Sequence, residues 1–121
     1  MSRTKKGFSL QLPNHDNAFI QPQKLTKYLL SETHDVGKSK AKFFREIGFN
    51  QTHLEQLKQE LLNVAKIAVV TEVIETIHGA KYVIIDAIKA PSGRSVTILT
   101  VWMIDRGETA PRFITARPYK Q

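Results

Sequence analysis

The chain of 121 residues contains no cysteine. Disulfide scaffolds and thiolate metal sites are thereby excluded, and cysteine usage says nothing about redox compartment. Long apolar runs are missing as well. None approaches the roughly 20 residues that span a bilayer, and the longest candidates, "IAVV" and "YVII", read as buried strands. The opening "MSRTKKGFSLQLPN" is basic but lacks the apolar segment of a signal peptide, so no membrane partner is expected and the expected location is the cytoplasm. Acidic residues are scarce: 11 against 18 Lys and Arg, a net charge of +7. The excess is mostly N-terminal, since the first fifty residues hold nine basic side chains against four acids and the rest nine against seven. Such a balance favours a polyanionic partner, nucleic acid first among them.

Familiar nucleotide and metal signatures are also absent. There is no P-loop, no dinucleotide-binding glycine pattern, no H-E-x-x-H and no EF-hand loop. His15, His34, His53 and His78 are scattered without metal-ligand spacing, so neither a metal nor a cofactor is expected.

What is present is an ordered change of period. Residues 1–13 read as a mobile basic arm, and residues 14–121 as one domain, long enough to bury a core without staples. Pro22 suits a first helical turn, and Leu25, Tyr28 and Leu29 repeat at helical spacing, which predicts a helix over 22–31. A second helix is predicted over 37–47, stopped by Gly48. A third runs over 52–66, with Thr52 and Glu55 at capping-box spacing and Leu54, Leu57, Leu61, Leu62 and Ala65 in one apolar stripe. From residue 67 the pattern turns β-branched. "IAVVTEVIET", "KYVIIDAIKA", "SVTILTVWMI" and "RFITARP" are four strands, separated by "HG", "PSGR" and "DRGETAP". Helices first and strands after, with short connections, predict an α+β fold: three N-terminal helices packed on a four-stranded antiparallel β-meander.

One stretch, "THDVGKSKAKFF", carries the chemical interest. Lys38, Lys42 and Arg45 share a helix face that reads as solvated and suited to phosphate contacts. Lys40 falls instead on the stripe of Phe43, Phe44 and Ile47. Its ammonium either snorkels to water or faces a cleft, where it would bind phosphate. His34, just before the helix, is either a loop residue or a general acid or base. Histidine with lysine suits metal-free cleavage of RNA: a base takes the 2′-OH proton, an acid protonates the leaving 5′-oxygen, and cations meet the phosphorane charge.

The last strand adds Arg112, Thr115 and Arg117. By strict period two, Thr115 and Arg117 share a face and Arg112 lies on the other; Arg112 and Thr115 serve one cleft only if the strand twists or bulges. Thr115 is equally an ordinary β-branched strand residue. Arg94 is most simply a solvated turn arginine, carried with Arg117 as a candidate phosphate contact. Tyr82, Trp102 and Tyr119 could stack bases, although Trp102 inside "ILTVWMI" reads as core.

"LPNHDNAFIQPQKLTKYLL", "THDVGKSKAKFF", "GAKYVI", "PSGR", "TVWMI" and "PRFITARP" together resemble a bacterial family of formally unassigned function. That family occurs stand-alone beside a second small gene, and as a C-terminal domain of large secreted toxins and phage-related proteins. The resemblance covers residues 12–118. The order of elements also looks like the barnase/EndoU/colicin/RelE-type ribonuclease toxins, whose cleavage is metal-free. Taken together, the resemblance implies His34 and Lys40 as one half of a catalytic site and Arg112 and Thr115 as the other. It implies an endoribonuclease-like toxin acting on RNA, tRNA among the candidates, held by a small acidic antitoxin or immunity protein. The rival expectation is a binding module of the same fold without catalysis.

Overall fold

The computed structural model describes residues 10–26 and 38–119, with 38–41 and 51 as backbone only. Among the described residues three α-helices come first: α1 (Pro22–Lys24), α2 (Lys38–Glu46) and α3 (Leu54–Ile67); residues 27–31 of the helix predicted over 22–31 lie outside the described residues. Four strands follow: β1 (Val70–Thr76), β2 (Gly79–Lys89), β3 (Ser95–Asp105) and β4 (Arg112–Pro118). They pair in the order β1-β2-β3-β4, every neighbour antiparallel. The expected α+β meander is thus the fold. Among the described residues no helix is long and apolar enough to cross a membrane.

Local chemistry sets the turns. Gly79 closes the β1–β2 hairpin at φ +140°, where a Cβ would collide with the Ile104 carbonyl oxygen. Gly93 and Gly107, both at positive φ, turn the other two hairpins.

The core lies on one face of the sheet. From α3, Leu57, Leu61, Val64 and Ala65 are buried, and the helix packs on β2. Ile84, Ile88, Ile98, Trp102, Phe113 and Ala116 meet it from the strands, with Phe44, Ile47 and Phe49 from α2 and its exit. Trp102 is fully buried as expected, its ring edge-on to Phe113 at 5.3 Å. Among the described residues one polar residue, Thr100, is buried as a whole, and it is satisfied on both sides. Its hydroxyl donates to the Ile84 carbonyl (2.9 Å) and accepts from Trp102 Nε1–H (2.9 Å), as a polar group in an apolar core requires.

Three sequence expectations change. The cap of the third helix sits on Asn50, ahead of Thr52. Asn50 Oδ1 accepts from the Thr52 amide (2.8 Å), and His53 Nδ1 accepts from the Asn50 amide (3.2 Å). Glu55 takes an N–H of Gln59 (2.8 Å) instead of a backbone amide. An Asn one turn earlier meets a short 3-10 turn, Gln51–His53, that periodicity alone does not signal. "IAVV" is no buried run: Ala68 and Val70 point in, while Ile67 and Val69 are 60% and 49% exposed, because it straddles a helix end and an edge strand. Finally, of residues 1–13 the first nine lie outside the described residues, but Gln11 bridges Val69 and Leu12 is buried, so packing begins ahead of residue 14.

Candidate functional site

β4 carries one residue more than β3 can match. Trp102 faces Phe113 and Val101 faces Thr115, so Ile114 is the extra residue of a β-bulge. The consequence is positional. Arg112, Thr115 and Arg117 stand opposite Met103, Val101 and Leu99, which share one side of β3. Phe113 and Ala116 stand opposite Trp102 and Thr100, which share the other. The bulge therefore resets the parity, and Arg112, Thr115 and Arg117 lie on a single face of the sheet. It is the face away from the Trp102 core. This differs from the expected cleft between the second helix and the sheet for Arg112 and Thr115: α2 lies against β4 but sends Phe44 and Ile47 into the core on the other side.

A bulge leaves backbone groups out of the ladder. Lys24, from α1, supplies the missing donor: its Nζ–H donates to the Ile114 carbonyl at 3.0 Å. This half-buried contact anchors α1 beside β4 and brings an ammonium group next to Thr115. The Thr115 Oγ1 is buried and has no hydrogen-bond partner among the described residues. Around it this face of the sheet is apolar, with Val83 and Met103 buried and Ile85, Leu99 and Val101 half-buried.

Arg112 is held from the next strand. Its Nε–H and Nη2–H donate to the two carboxylate oxygens of Asp105 at 2.7 and 3.0 Å. The paired hydrogen bonds push the Asp105 carboxyl below its usual range and the guanidinium above its own. Both side chains stay about a third exposed, 35% and 33%, so the pair fixes orientation more than it adds stability. A guanidinium has five N–H donors. Asp105 takes two, leaving donors for a second anion.

The remaining candidates divide. His34 lies outside the described residues, as do the side chains of Lys38 and Lys40, whose backbone is on α2. Lys42 is exposed, whereas Arg45, expected on the same solvated face, is half-buried. Arg94 is exposed in the β2–β3 turn. The end of α2 reaches that turn, since a Cβ on Gly48 would lie 3.5 Å from Pro91 Cβ. Arg117 and Tyr119 are at the same end of the sheet, where the Tyr119 amide donates to the Thr97 carbonyl. Tyr82 points to the core side opposite Trp102; burial first, and the nearby Glu75 carboxylate second, raise its phenol pKa. Among the described residues no three His, Asp or Glu side chains come together as a metal site would need.

Lys24 and Asp105 were not picked out from sequence. Asp105 had a readable signal, an acid and an arginine flanking the hairpin "DRGETAP". Lys24 had none, because its acceptor exists only once β4 bulges.

Residues 11–120 match a family described as a domain of unknown function, DUF6883. The chain belongs to this family. No curated protein matches it. Among solved structures, it is similar to a chain of a "Contact-dependent growth inhibition toxin - immunity protein complex from Klebsiella pneumoniae 342". The TM-score is 0.67 at 15% identity, over 88% of this chain and 97% of that one. At this identity the likeness establishes a shared fold.

Proposed function

We propose that this DUF6883 domain is a bacterial toxin domain of ribonuclease type, kept inactive by a cognate acidic antitoxin or immunity protein. The observation that carries the reading is the bulge at Ile114. It gathers Arg112, Thr115 and Arg117 on one face of the sheet, with Lys24 at the bulge carbonyl. Cationic side chains on the same strand face as a hydroxyl suit a phosphodiester. The net charge of +7 and the fold shared with a chain of a toxin–immunity complex support the same reading.

In this mechanism the RNA 2′-oxygen attacks phosphorus while the bond to the 5′-oxygen breaks, leaving a 2′,3′-cyclic phosphate. Arg112 and Lys24 hold the non-bridging oxygens as charge develops, and the Thr115 hydroxyl donates to one of them. His34 moves a proton at the 2′- or 5′-oxygen, and Lys40, from α2 alongside β4, adds a further cation to the phosphate's field. Lys38, Lys42, Arg45, Arg94 and Arg117 meet flanking phosphates without reading sequence. The cytoplasm, where RNA is exposed, is the site of action.

The direct test is incubation of purified protein with total RNA and a tRNA panel in EDTA. Cleavage ending in 2′,3′-cyclic phosphate is expected, and intact RNA with or without divalent cations sinks the reading. Lys40→Met and His34→Ala should each lose on the order of 10²–10³ in rate while folding normally. One observation favours a second reading, a binding module without catalysis: Asp105 already neutralises Arg112. That reading expects tight RNA or protein binding with no cleavage, unaffected by His34→Ala.

A further inference from the structure

The two edges of the sheet are treated differently. Along β4, Phe19 bridges Arg112, Lys24 caps the bulge, and Pro118 ends the strand. These are the usual ways of blunting an edge. Along β1 the protection stops early. Gln11 bridges Val69, and the Leu10 carbonyl accepts from the Val70 amide (2.7 Å). From Thr71 to Thr76, the outer edge has no backbone partner among the described residues. "VTEVIET" contains no lysine and no proline. Instead it displays Val73 and Ile74, with Ile77 at the turn 77% exposed. Of the seven large apolar side chains exposed among the described residues, all but Phe19 lie on β1 or beside it. An apolar cluster on an open strand edge marks a docking surface.

Charge selects the occupant. In a chain of net +7, residues 67–80 contain no Lys or Arg, yet Glu72 and Glu75 stand exposed on β1. Neither forms an ion pair among the described residues. A second copy of the chain answers this poorly. A two-fold axis normal to a continuous antiparallel sheet sets residues of the same face opposite each other. Centred on Ile74, such pairing puts Val73 against the partner's Glu75, and Glu72 against the partner's Thr76. No carboxylate meets a cation, and two chains of +7 repel.

We infer that the β1 edge takes an extended strand of another protein, in which two basic residues flank two apolar ones. Opposite Glu72, Val73, Ile74 and Glu75, that strand presents basic, apolar, apolar and basic side chains. Glu72 and Ile74 lie on the face away from the Trp102 core, Val73 and Glu75 on the core face. The two cations therefore reach opposite sides of the sheet, as a spacing of three residues in a strand dictates. Main-chain hydrogen bonds supply affinity, and the two charges supply selectivity. β1 and β4 are opposite edges of the sheet, so this surface is independent of the site on β4 and of the function proposed for it.

The test is an NMR titration of the ¹⁵N-labelled full chain with a cyclic hairpin peptide whose outer strand reads Thr-Lys-Val-Ile-Lys-Thr. The control carries Glu in place of both Lys. Expected are saturable shifts confined to Thr71–Thr76 and its β2 neighbours. The Lys peptide should bind about fivefold tighter or more at low salt, the sum of two exposed ion pairs, and the gap should close in 0.5 M salt. Ile74→Lys should abolish binding with the rest of the spectrum unchanged, and Arg117→Gln should leave it intact. Equal binding of the two peptides, no binding, or shifts centred on β4 overturns the inference. So does concentration-dependent broadening of residues 71–76 without peptide, which would identify a second copy as the occupant.

Discussion

Thr100→Val removes one oxygen atom from the centre of the protein and almost nothing else. The hydroxyl lies between the Ile84 carbonyl and Trp102 Nε1–H, 2.9 Å from each, with Thr100 and Trp102 both fully buried. Valine fills the same volume, so no cavity opens. The indole N–H, however, is left in an apolar core with no acceptor and no route to water. An orphaned buried donor costs about 1–3 kcal/mol, and the lost bond to the carbonyl about 1 more, giving about 2–4 kcal/mol. At roughly 4 °C per kcal/mol for a domain of this size, the midpoint should fall by about 8–16 °C. Trp102 is the only tryptophan, so its fluorescence reports urea or thermal unfolding from beside the lesion. Thr100→Ser is the informative partner. It keeps the hydroxyl and deletes a methyl group, for about 1 kcal/mol. The serine variant must therefore be the more stable of the two, although valine is the more apolar. A valine variant as stable as the parent, or more stable than the serine one, would refute the account of this core.

Other perturbations read other parts of the fold. The folded-state pKa of Asp105 is depressed chiefly by its hydrogen bonds from Arg112. Its contribution is present above the unfolded carboxylate pKa of about 3.9 and is lost as pH falls through the folded value. Asp105→Asn should flatten the acid limb of a stability–pH curve below about pH 4 and leave the neutral region nearly parallel. Asn50→Ala removes the cap at the start of α3 and should cost about 0.5–2 kcal/mol in urea unfolding; Thr52→Val should cost less, since the Thr52 hydroxyl only donates to Asn50 Oδ1 (2.6 Å) and satisfies no backbone amide. In RNA binding, replacing Lys38, Lys42 and Arg45 together by Gln should lower the log–log salt slope by about 2, at ~0.7 per phosphate contact on a single strand. An unchanged slope would leave these residues as a solubilising helix face.

Much of this fold is legible because it is local. β-branched runs, glycines at positive φ and a leucine stripe are properties of a few consecutive residues, so four strands, their turns and α3 could be read directly. The α+β order followed, since helices first and short hairpins after leave one economical way to cover a sheet. Trp102 was read as core for the same reason. What could not be read are the features that depend on a neighbouring strand or segment. Period two sends Arg112 and Thr115 to opposite faces; only the register with β3, which leaves Ile114 over, brings them together. Lys24 has no reason to approach Thr115 until that bulge exposes a carbonyl. "IAVV" is uniformly apolar in sequence, but its place between a helix end and an edge strand decides that two of its side chains face water. A strand's own residues state which alternate side chains match; how many residues the adjacent strand can match is set across the hydrogen-bonded ladder, between residues far apart in the chain.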